Sequence, residues 1–140
     1  MAPKGKFALD ETGSPDINCI GLLTDEPDYR VCWLLNHRYN LGLQRCEDLI
    51  LTISKAPIPQ SFTCFMASDN NDNTLFKLIS NRSNEGIWLT SFPQINFLLL
   101  SLVPGDKNGI VADLRQQGTG HIPEIRGIFE LPAGEISSML

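Results

Sequence analysis

Apolar positions along the chain fall into short blocks with two different spacings. Residues 17–23 (INCIGLL) form a brief apolar run of strand length. Residues 29–43 (YRVCWLLNHRYNLGL) instead place Cys32, Leu35 and Tyr39 at i, i+3 and i+7, with Val31 and Leu34 beside them. That spacing makes one wide stripe on a helix. TDEP, residues 24–27, supplies its start. Thr24 or Asp25 can accept from the first amides, Pro27 suits a first turn, and Asp25, Glu26 and Asp28 suit the positive end of the dipole. Gly42 supplies a left-handed stop. Such a helix is expected to pack on a sheet. Trp33 reads equally as core or as part of an exposed patch.

Further runs return to strand length. Residues 49–54 (LILTIS) are broken by the prolines of APIPQ. Residues 61–67 (SFTCFMA) and 74–80 (TLFKLIS) flank DNNDN, a turn, and so form a hairpin. After the loop SNRSNEG and the short run IWL come residues 95–103, apolar on both faces and therefore a central strand. Residues 110–116 read as a second helix, 126–131 as a last strand, and 135–140 as a short C-terminal helix. The pattern predicts an α+β fold: a single domain over 17–140 after a flexible arm at 1–16. Its core is a largely antiparallel sheet of five to six strands, with two or three helices packed on one face.

Composition narrows the classes. The chain has 140 residues, 42% hydrophobic and 19% charged, enough for a core without staples. A net charge of −5 disfavours a general nucleic-acid surface. The longest apolar stretch, FLLLSLV, falls well short of the ~20 residues that span a bilayer, and the first residues lack a signal peptide's apolar core. A cytoplasmic protein without a membrane segment is expected. Cys19, Cys32, Cys46 and Cys64 stand 13, 14 and 18 residues apart, with no C-x-x-C pair. They read as buried, reduced side chains and not as zinc ligands. No metal and no cofactor is expected.

Candidate chemistry is thin. Asp69, Asn71 and Asn73 imitate the opening of a calcium loop, but Thr74 and Ser80 occupy the places of its glycine and bidentate glutamate. PGDKNG and GTGH read as glycine-rich turns, since neither fits a phosphate loop. His37 and His121 have no nucleophile elbow to serve, so no catalytic residue is assigned. Asn81-Arg82-Ser83 is a chance glycosylation match in a cytosolic protein. The same loop either presents donors to a partner or ties itself to the domain, the second reading being the plainer one.

DYRVCWLLN followed by LISNRSNEG and an apolar run resembles the IPExxxVDY family, small proteins of Bacteroidota. The resemblance covers residues 17–131 and aligns the signature with residues 89–97. There Leu89, Thr90 and Ser91 stand for Ile, Pro and Glu, and Ile95, Asn96 and Phe97 for Val, Asp and Tyr. A second stretch, Ile122-Pro123-Glu124 with Ile128-Phe129-Glu130, imitates the signature further along. The resemblance implies no activity. It brings a gene neighbourhood that includes ribonuclease III.

Three functions are therefore carried forward. The first is a non-catalytic interaction module that self-associates as a homodimer or docks a protein partner. Its expected surface is Asn81 and Arg82 with exposed Trp88, Phe92 and Phe97. The second is an RNA-related accessory protein, which requires Arg30, Arg38, Arg45, Lys77 and Arg82 to converge. The third is a ligand-binding domain or small enzyme using a group such as His121 or Glu124.

Overall fold

The structure is a computed structural model that describes residues 18–53, 57–68, 74–84, 86–101, 113–114, 122–132 and 136. The arm at 1–16, the DNNDN turn, the loop at 104–109, the glycines at 118 and 120 and His121 lie outside the described residues, as does most of 110–116 and of 135–140.

Strands β1 (Asn18–Thr24), β2 (Gln44–Arg45), β3 (Leu49–Leu51), β4 (Gln60–Phe62), β5 (Cys64–Ser68), β6 (Thr74–Ser80), β7 (Phe97–Ser101) and β8 (Ile125–Glu130) accompany one complete helix, α1 (Asp28–Tyr39). Six strands form an antiparallel sheet in the order β2-β5-β6-β7-β1-β8, and β3 pairs with β4 in a separate ribbon. The α+β class and the antiparallel sheet stand as expected. Asp113 and Leu114 are helical and Leu114 joins the α1 side of the core, whereas Ile136, also helical, packs on the opposite side. The helical residues thus do not share one face.

Both faces are covered, which explains the continuous apolar run of β7. Phe97 and Leu99 point toward α1, while Leu98 and Leu100 point to a second core with Phe62, Trp88 and Ile95. All five residues of β7 are buried between β6 and β1. At Gly21, in β1, a Cβ would lie 2.4 Å from Ile95 Cδ1, so a larger residue there collides with a fully buried neighbour.

The helix buries Val31, Cys32, Leu34 and Leu35, the expected stripe, and leaves Trp33 outside. Its ends differ from expectation. Pro27 itself holds the cap position, extended at φ −71° and ψ 166°, and its carbonyl accepts from the amides of Arg30 and Val31 at 3.1 Å. Thr24 accepts from Glu26 N and donates to the Glu124 carbonyl instead of capping the helix. Asn40, not Gly42, takes the left-handed position, at φ 54°. A short polar side chain tolerates that backbone well.

The run at 61–67 is two strands. It leaves the ribbon at Phe62 and enters the main sheet at Cys64, with the Thr63 carbonyl between them held by Ser80 N at 2.9 Å. β2 was not expected, since its two exposed polar residues carry no apolar signal.

Candidate interaction surface

Asn81 follows directly from β6 and is fully buried. Its side-chain amide donates to the carbonyls of Ile95 (3.0 Å) and Phe92 (3.3 Å), and its side-chain oxygen accepts from Leu89 N (2.8 Å). Its own amide donates to the Asn96 carbonyl, and its carbonyl accepts from Trp88 N, both at 2.9 Å. Asn96 continues the connection by donating from its amide to Leu22 O and accepting from Thr24 N at its side-chain oxygen. The segment 88–96 has few ladder bonds of its own, and Asn81 supplies what a strand would have supplied. Arg82 is exposed and donates to the Pro93 carbonyl at 2.8 Å.

The exposure expected of the aromatic residues here is corrected by this arrangement. Trp88 is 9% exposed, with its ring tilted against Phe62 at 6.2 Å, and Phe97 is 7% exposed in the α1-side core. Phe92 is half-buried against the second core. Asn81, Trp88 and Phe97 hold the fold together and present no contact face. Arg82 remains on the surface, tying the loop to its own domain.

The thiols of Cys19, Cys32 and Cys64 are poor nucleophiles. Burial pushes Cys19 from 9.0 to about 12, helped by the charge of Glu130. Burial also pushes Cys64 up to about 12, followed by the hydrogen bond and charge of neighbouring Cys46, against the lowering influence of Lys77 and Arg45. Cys32 is raised by burial, although its bond with Asn36 opposes this. Cys46, Glu47, Asp48, Cys64 and Lys77 help line a surface pocket of about 330 Å³, where acids and one base are mixed. Among the described residues no group of three or more His, Cys, Asp or Glu is placed to hold a metal ion.

Apolar exposure lies elsewhere. Tyr29 is 70% and Trp33 51% exposed, one turn apart on the outer side of α1. His37 stacks on Trp33 with ring centroids 4.8 Å apart, and the Arg30 guanidinium lies 4.9 Å from the same ring. Ile50 and Ile58 project from the ribbon region. Three of the five basic residues sit beside carboxylates. Arg30 lies 3.4 Å from Glu124 and 3.9 Å from Glu26, Arg38 is 3.7 Å from Asp113, and Arg45 is 2.7 Å from Asp48.

The two edges of the main sheet differ. β2 ends one side after two exposed residues. β8 ends the other with six, and no described strand lies beyond it. A short edge discourages further pairing, whereas a long one with open main-chain groups invites it. Sequence reading located β8 within one residue, but nothing in its letters says that it lies at an edge. Its position follows from β1 pairing with β7 on its other side.

Comparison with protein families, with curated proteins and with solved structures finds no match.

Proposed function

We propose that this chain is a non-catalytic protein-interaction module that self-associates. The observation that carries the reading is the outer edge of β8, six residues long, beyond which no described strand lies. Tyr29 and Trp33 add apolar surface on the outer side of α1. The raised thiols of Cys19 and Cys64 favour a structural role for these side chains over a nucleophilic one. The RNA-related reading is weaker, because Arg30, Arg38 and Arg45 each sit beside a carboxylate and a phosphate would have to displace it.

The same reading places the chain in the IPExxxVDY family, with the signature at 89–97. Its support is internal: Asn81, in the block LISNRSNEG, bonds to the main chain of Leu89, Phe92, Ile95 and Asn96. The loop block and the stretch aligned with the signature thus depend on each other in the fold. No helix among the described residues is long and apolar enough to cross a membrane, and a cytoplasmic location belongs to the same proposal. Sedimentation equilibrium of the purified full chain across a concentration series tests self-association. A molar mass that rises to twice the chain mass is expected. A strict monomer at every concentration would overturn the reading.

A further inference from the structure

We propose that Cys46 and Cys64 are an oxidisable pair, which hydrogen peroxide converts to a reversible disulfide closing the base of the β3–β4 ribbon.

The backbone sets the two residues opposite one another. The β2–β5 register pairs Gln44 with Met66 and Arg45 with Phe65, and one step on, Cys46 N donates to Cys64 O at 3.0 Å. A pair bonded in this way holds its α-carbons about 5.5 Å apart, inside the roughly 4.4–6.8 Å that a disulfide spans. Opposed positions on neighbouring strands send their side chains to one side of a sheet, and both cysteines pack on the second core. Both are free, and their thiols share a hydrogen bond. Cys19 faces Leu100 across its ladder, and Cys32 bonds with Leu43 and Asn36, so neither is placed to compete.

Access differs between the two. Cys64 is buried and Cys46 half-buried, and both line the surface pocket with Glu47, Asp48 and Lys77. Cys46 is therefore the sulfur that an oxidant meets first. The carboxylates of Glu47 and Asp48 disfavour an anionic oxidant such as glutathione disulfide, whereas a small neutral peroxide meets no such barrier. The Cys46 thiolate attacks one peroxide oxygen, the O–O bond breaks, and the departing hydroxide takes up the proton released by the thiol, leaving as water. The Cys64 sulfur then attacks the Cys46 sulfur, the S–O bond breaks, and a second water carries away the Cys64 proton. Two thiols thus give two electrons to one peroxide. Burial holds the Cys64 thiol protonated, and the charge of Cys46 adds to that. This second influence is lost once Cys46 is oxidised, while Lys77 and Arg45 still favour the thiolate. Fixed proximity of the two sulfurs makes the closing step intramolecular.

The full chain is treated with hydrogen peroxide in slight excess and mapped by mass spectrometry without reduction. The expected product has the mass of one chain less two hydrogens. It carries a linked Cys46–Cys64 peptide, keeps Cys19 and Cys32 as thiols, and reverts with dithiothreitol. Its urea midpoint should exceed that of the reduced chain, because the link closes the stretch 47–63 that carries β3 and β4. Cys64→Ser should stop at a Cys46 sulfenic acid that dimedone traps. Cys46→Ser should consume peroxide about tenfold more slowly, with far-ultraviolet circular dichroism as the check on its fold. Cys46 overoxidised beside a free Cys64 in the folded wild type, a link to Cys19 or Cys32, a linked product of twice the chain mass, or a midpoint that does not rise would overturn the assignment. None of these outcomes bears on self-association through β8.

Discussion

Asn81 shows what one buried polar side chain can replace. It stands where a strand partner would stand, and its donors and acceptor are matched to carbonyls and an amide of a segment that has no ladder. Asn81→Ala leaves two carbonyls and one amide without these partners. Each unmet buried group costs about 1–3 kcal/mol, with some relief from water, so a loss of about 2–4 kcal/mol is expected in urea denaturation. A loss below about 0.5 kcal/mol would show that the loop holds itself. The sequence had offered this residue as a contact donor or as a tie, and only its burial decides for the tie. Cys19 makes a second residue-scale case. Its thiol ionises near 12 when folded and near 9.0 when unfolded. The neutral form is favoured by folding, so its contribution is complete below pH 9 and fades by about 1.4 kcal/mol per pH unit as pH rises toward 12. At pH 8 a thiol reagent should label half-buried Cys46 first and leave Cys19 unmodified until the chain unfolds. Rapid labelling of native Cys19, read by mass spectrometry, would contradict its burial.

At the scale of elements, α1 divides into two halves by function. Leu35 is fully buried, and Leu35→Ala should cost about 2–5 kcal/mol. Trp33 touches His37 and Arg30 but faces water, and Trp33→Ala should cost less than about 1 kcal/mol. Equal losses by thermal or chemical denaturation would mean that the outer side of α1 is covered by structure of its own. The helical stripe was legible because 3.6-residue periodicity is a strong signal, and β7 was legible because a strand covered on both faces has no polar positions. Helix ends were less so: both Asn40 and Gly42 can adopt left-handed backbone, and tertiary fit decided between them. The division of 61–67 between ribbon and sheet at Thr63 was not legible at all. A strand that changes sheet keeps the same apolar alternation in both.

For the whole molecule the order of strands matters more than their list. Pairing β1 between β7 and β8 closes the middle of the sheet and leaves β8 outermost among the described strands, and no local pattern encodes that choice. The expected exposed aromatics at Trp88 and Phe97 turn inward for two different reasons: Trp88 packs against Phe62 in the second core, and Phe97 opens the central strand β7 and lies in the α1-side core. In the proposed reading the contact surface moves from a loop to the β8 edge. Hydrogen exchange of the Ile128 amide, followed by nuclear magnetic resonance as the chain is concentrated, reads that edge directly. The amide points away from β1, toward the side where no described strand lies, so it should exchange fast in dilute solution and become protected as self-association covers β8. Exchange that stays equally fast at every concentration would contradict the account.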